Sequence, residues 1–164
     1  MKTLRWIWAL PGAQTMKNKS FLKVCAGITL IGLATPMIGW VIAGLRYGFK
    51  RVLTIELFIA LACNVIPYAV FMLIARLALL DAIKRNHSVS FPNLLGVIGA
   101  GTIITCLDLL GHYLAWRDID SPGHRGDSME ALAFFFFSIY LMIGMLILYK
   151  CGRLGGKWYE REMS

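Results

Sequence analysis

Asp108 and His112, two ionisable side chains four residues apart inside an apolar run, are the residues of this sequence best equipped to do chemistry. On a helix, positions i and i+4 share one face, so carboxylate and imidazole can reach each other. A third such group, Glu56, sits in a separate apolar run, with Asn64 farther along it. Carboxylates inside long apolar segments are expensive and carry a functional expectation by default. Clustered, they could bind a proton, a cation or the polar group of a partner. The plainer reading is that Asp108 and His112 satisfy one another while Glu56 reaches Arg51 or the membrane interface. Asn64, three residues before Pro67, reads as helix-to-helix glue at a bend.

The elements that must position these groups follow from composition. Of 164 residues, 58% are hydrophobic and only 16% charged, and the mean hydropathy is +0.65. Soluble domains carry about a quarter charged residues, so this is the composition of a polytopic membrane protein, not of a soluble domain, a disordered chain or a disulfide scaffold. A spanning helix needs roughly 20 mostly apolar residues. Four windows qualify: Val24 to Leu45, Val52 to Ala75, Leu94 to Trp116, and Ala131 to Tyr149. The expected architecture is an all-α, four-transmembrane-helix bundle. The third span, with Asp108, His112 and glycines at 96, 99, 101 and 111, is the least apolar and is expected to lean on its neighbours.

Orientation follows from Lys and Arg, which accumulate in cytoplasmic segments. The segments before, between and after the spans carry five, three, three, two and four of them in chain order. Placing both termini in the cytoplasm puts twelve inside and five outside. The domain layout is then a cytoplasmic segment 1–23, a membrane domain 24–149 and a basic cytoplasmic tail 150–164. The net charge of +8 is mostly this topology signal, and nucleic acid is not expected as a partner. Glu56, Asp108 and His112 fall in the outer half of the bilayer, about 6, 12 and 6 Å from the outer ends of their spans at 1.5 Å per residue. The third loop adds Asp118, Asp120, Asp127 and Glu130 on the same side, and Asp127 to Glu130 has the spacing of a capping box at the fourth helix. Trp6, Trp8, Tyr47, Tyr113, Trp116, Tyr149, Trp158 and Tyr159 fall near the expected interfaces, with Trp40 and Tyr68 as exceptions.

Met1 to Leu10 reads as an interfacial anchor ended by Pro11-Gly12, and Met16 is an alternative start of translation. The first loop, Arg46 to Arg51, is short enough to demand a tight hairpin, and 76–86, free of Pro and Gly, extends the second helix into the cytoplasm. Gly39 with Ala43, and Gly96 with Ala100, are small-xxx-small pairs that permit close helix packing. Cys25, Cys63, Cys106 and Cys151 lack metal-ligand spacing, and His87, His112 and His124 fall at different depths, so neither a disulfide, a metal nor another cofactor is expected. Phosphate-cradling glycine loops, Ser-His-Asp or Cys-His arrangements and HExxH are missing from the sequence, and a non-catalytic protein is expected.

In size and layout the chain resembles small four-span bacterial inner-membrane proteins. The stretch Asp127-Ser128-Met129-Glu130-Ala131-Leu132-Ala133-Phe134, running on to Ile139-Tyr140, looks like the polar-then-Ala-Leu-Phe lead into the last span of several of them. Characterised proteins of this build include membrane immunity proteins that protect a cell against pore-forming colicins or secreted antibacterial effectors. The resemblance implies an integral protein of the bacterial inner membrane whose partners are the lipid bilayer and a toxin or another membrane protein. The region that would meet the toxin corresponds to Glu56, Asp108, His112, Asp118, Asp120, Asp127 and Glu130. The alternative is a small transporter or channel subunit, oligomeric because four spans are few, with a proton or cation site at Glu56, Asp108 and His112. Buried charge confined to the outer half favours binding over conduction.

Overall fold

The computed structural model describes residues 15–16, 18–47, 55–85, 87–119 and 129–163. In chain order these form β1 (Thr15–Met16), α1 (Asn18–Tyr47), α2 (Ile55–Lys84), β2 (Val89–Ser90), α3 (Phe91–Ile119) and α4 (Met129–Met163). The helices are 30, 30, 29 and 35 residues long. At 1.5 Å per residue each exceeds the roughly 30 Å of bilayer hydrocarbon. All four are long and apolar enough to cross a membrane. Each carries a basic residue in its last turn, Arg46, Lys84, Arg117 and Arg161, where it complements the negative end of the helix dipole. Pro92 sits in the first turn of α3, where its missing N–H is not needed. The two strands pair antiparallel, Thr15 with Ser90 and Met16 with Val89, tying the chain before α1 to the connection before α3.

The helices extend past the apolar windows. α2 continues through 76–84, and 150–163, expected as a tail, is the last part of α4. The main packings are α3 on α4, α1 on α3, α2 on α4 and α1 on α2, while α2 and α3 touch sparsely. The ring order is therefore α1–α3–α4–α2, with α2 and α3 across a diagonal. Large apolar side chains such as Leu30, Leu45, Phe58, Leu73, Tyr140 and Ile147 remain on the outside. In a lipid solvent that exposure costs nothing, and helices associate through close packing and polar contacts instead.

The glycines show how close that packing is. A Cβ on Gly39 would lie 3.0 Å from His112 Cβ and 3.0 Å from the Tyr113 amide, so α1 runs against the backbone of α3. A Cβ on Gly156 would lie 2.6 Å from Pro92 Cα, and one on Gly152 2.9 Å from Gly96 Cα. Gly152-x-x-x-Gly156 thus seats the end of α4 on the start of α3, beside the Phe91–Tyr159 ring contact at 5.6 Å. Ala43 and Ala100 are both buried. Two apolar cores result. One gathers Phe21, Phe71, Val97, Ile104, Leu141 and Met145; the other gathers Ala43, Leu57, Ala60, Trp116 and Phe134. Among the buried polar residues, Thr35 of α1, Asn64 of α2 and Asp108 and His112 of α3 lie between the two.

Candidate functional site

The polar layer starts from a proline. Pro36 lies inside α1, and because it has no N–H, the carbonyl of Gly32, four residues earlier, loses its helical partner. A buried carbonyl must be paired. Asn64 of α2 supplies the donor: its Nδ2 bonds Gly32 O at 2.7 Å and also Thr35 Oγ1 at 3.0 Å. Thr35 Oγ1 is itself 2.7 Å from Gly32 O and bonds Asp108 Oδ2 of α3. From across the diagonal, Tyr68 OH bonds the same Oδ2 at 3.0 Å and stands 3.2 Å from Thr105 Oγ1. Thr105 donates back to Gly101 O at 2.9 Å. The tyrosine can lie there only because residue 32 is glycine: a Cβ would fall 1.9 Å from Tyr68 Cε1.

Asp108 is 0% exposed and His112 2%. His112 Nε2 approaches Asp108 Oδ1 to 3.3 Å, an ion-pair distance, but the alignment is too poor for a hydrogen bond. Asp108 Oδ1, Asn64 Oδ1 and both His112 nitrogens have no hydrogen-bond partner among the described residues. The imidazole is held instead by rings of α4, stacked on Phe134 at 5.4 Å and edge-on to Phe137 at 5.9 Å. One turn on, Trp116 Nε1 donates to Pro36 O at 3.2 Å and its ring meets Phe134 at 5.6 Å. Every helix contributes to this layer. Asp108 and His112 do face each other as their spacing required, but the bonds that hold the carboxylate come from α1 and α2.

Asp108 and His112 are enclosed by the four helices, so neither presents a polar atom on the outer surface to a partner. Trp116, expected at the interface, is buried and bonded to α1. Glu56 lies in the first turn of α2, Asp118 in the last turn of α3 and Glu130 in the first turn of α4; their side chains, with Asp120 and Asp127, lie outside the described residues, as do the third loop and Met1 to Leu10. Thr35 and Gly32 went unrecognised in the sequence, and Tyr68 stood out only as an aromatic away from the expected interfaces. A further signal was Gly32 four residues before Pro36, which marks an unpaired carbonyl in need of a donor.

On the outside of the bundle a groove of about 380 Å³ opens between α3 and α4. Its walls include Leu107, Leu110 and Tyr140, all exposed, and its floor includes Gly111, Phe137 and Gly144. The Phe137 ring packs where a Cβ on Gly111 would be, 2.1 Å from it, and separates the groove from His112. From Ile104 to Leu114 the groove follows α3 for about 15 Å, half the hydrocarbon thickness. Among the described residues, no group of three His, Cys, Asp or Glu could hold a metal ion. The four cysteines are free, with Cys106 and Cys151 exposed. The chain matches no protein-family model, no curated protein and no solved structure.

Proposed function

We propose that this is a non-catalytic, multi-pass protein of the bacterial inner membrane that binds a membrane-inserted partner laterally, and that the partner is a pore-forming or membrane-targeting antibacterial toxin against which it confers immunity. The observation that carries the reading is the division of the membrane domain into an inward polar layer and an outward apolar surface. Asp108 is tied to α1 and α2 by hydrogen bonds, whereas the α3–α4 groove is open, apolar and floored by glycine. A groove of that kind accepts the side chains of another membrane helix at close range. With both termini cytoplasmic, as the charge distribution favours, the α3 wall of the groove lies in the outer half of the bilayer, the side from which such a toxin arrives, while its α4 wall runs on past the middle to Leu148.

Expression in a sensitive strain, challenged with the toxin encoded next to this gene, tests the proposal. Protection is expected, and an unprotected strain containing normal amounts of the protein would overturn it. Reporter fusions within 120–128 and at residue 86 test the orientation, with opposite sides expected and 120–128 outside. One observation favours the second reading, a proton or cation site within a transporter: four buried polar atoms of Asn64, Asp108 and His112 lack hydrogen-bond partners among the described residues. Flux in proteoliposomes that disappears in Asp108→Asn would support it over immunity.

A further inference from the structure

The cytoplasmic part of α4 carries a second interaction surface, independent of the groove. Lys150, Arg153 and Lys157 follow at steps of three and four residues and so lie on one face of the helix. Arg161 continues the same face one turn farther. Beside it stand Leu154, 66% exposed, and Trp158, 65% exposed. The opposite face is occupied: Gly152, Gly156 and Tyr159 pack on Gly96, Pro92 and Phe91 of α3. The stripe is therefore held in a fixed orientation by backbone-to-backbone contact, pointing away from the bundle. Glu160 and Glu162 flank it near its far end.

A cytoplasmic surplus of Lys and Arg needs no register. This one has a register, a rigid support and an adjoining amphipathic aromatic. With the hydrocarbon edge at Tyr149, Lys150 and Arg153 fall within the headgroup layer, which is about 5–8 Å deep on each side. At 1.5 Å per residue, Lys157 falls within about a Debye length, near 8 Å, of that layer and Arg161 lies beyond it. We propose that Lys150, Arg153 and Lys157, with Leu154 and Trp158, form a docking surface for the phosphate headgroups of anionic lipid, locking the end of α4 to the membrane surface. Positive charge on the helix complements negative charge on the lipid, while the indole and leucine side chains, which lean back toward the helix N-terminus and so toward the membrane, add contacts at the headgroup layer.

The test is the selectivity of the full-length protein, reconstituted in phosphatidylcholine vesicles, for spin-labelled phosphatidylglycerol over spin-labelled phosphatidylcholine. One engaged basic side chain is worth about fivefold in preference, so at least about fivefold is expected for the native chain. The triple variant K150Q/R153Q/K157Q should lose the preference, whereas K150R/R153K/K157R, Arg161→Gln and K19Q/K23Q should each keep it. The charge-preserving triple variant guards against a loss that comes from misfolding. Glycerol phosphate should reduce the preference no more than sodium chloride of equal ionic strength. The proposal is overturned by equal affinity for the two lipids, by an unchanged preference in the glutamine triple variant, by loss in the charge-preserving one, or by displacement with glycerol phosphate beyond the salt effect, which would mark a site for free phosphate.

Discussion

The hydroxyl of Thr35 has one proton and two acceptors, and that shortage gives a quantitative prediction. Thr35 Oγ1 lies 2.7 Å from Gly32 O and bonds Asp108 Oδ2. While Asn64 serves the Gly32 carbonyl at 2.7 Å, Thr35 is free to serve Asp108. Asn64→Leu, of similar bulk, removes that donor, and Pro36 offers the carbonyl no amide in its place. Either Gly32 O is then unserved, or Asp108 Oδ2 loses one of its two donors and keeps Tyr68 OH alone, at a cost of about 1–3 kcal/mol. Loss of Asn64 Oδ1, which has no partner among the described residues, offsets part of this, leaving a net destabilisation of about 2 kcal/mol. In an Asp108→Leu background the competition disappears: Thr35 turns to Gly32 O, and Tyr68 turns to Thr105 Oγ1 at 3.2 Å. Asn64→Leu should then cost only about 0.6 kcal/mol, the mean value of an inter-helix bond in a membrane. The expected coupling of about 1–1.5 kcal/mol exceeds the 0.3–0.5 kcal/mol scatter of independent sites. Unfolding of the four proteins by SDS in mixed micelles, followed by helicity and tryptophan fluorescence, measures it. Additive costs would refute the single-proton argument, as would a coupling of opposite sign.

Other consequences follow from the same contacts. Pro36→Ala restores an N–H for Gly32 O, so in that background the cost of Asn64→Leu should fall by about 1 kcal/mol in the same assay. Gly156→Ala drives a methyl to 2.6 Å from Pro92 Cα, where backbone cannot yield, and should destabilise by about 1–3 kcal/mol. Its neighbour Gly155→Ala meets none of the described residues within 4 Å and should be neutral or stabilising by up to about 1 kcal/mol; thermal midpoints compare the two. Gly111→Ala collides with the Phe137 ring at 2.1 Å, and adding Phe137→Leu should recover most of the lost thermal stability.

Much of the helical layout was legible from local pattern. Four apolar runs defined four helices, and the i, i+4 spacing of Asp108 and His112 put the two side chains together. The ring order was hidden because each helix carries apolar residues all the way round, so no buried stripe stood out against an exposed one. The donors to Asp108 were hidden because they are non-local: Thr35 is 73 residues away and Tyr68 40, and threonine in an apolar run commonly bonds its own helix, as Thr29 does with Cys25 O. The end of α4 was concealed by Gly152, Gly155 and Gly156, which weaken a helix in isolation. Here two of them meet α3 at distances that only glycine permits.

The claim that the outward groove, and not the inward polar layer, meets the partner is tested most directly by filling the groove. A Cβ at Gly144 meets only Ile104 Cδ1 among the described residues, at an ordinary 3.4 Å, and one at Gly99 meets none of them within 4 Å, so both positions accept a Cβ, and beyond it a leucine side chain at 144 enters the groove. Protection against the toxin is measured in cells making equal amounts of the native protein, Gly144→Leu or Gly99→Leu. The account predicts that Gly144→Leu abolishes protection with its thermal midpoint unchanged while Gly99→Leu protects fully; full protection by Gly144→Leu would contradict it.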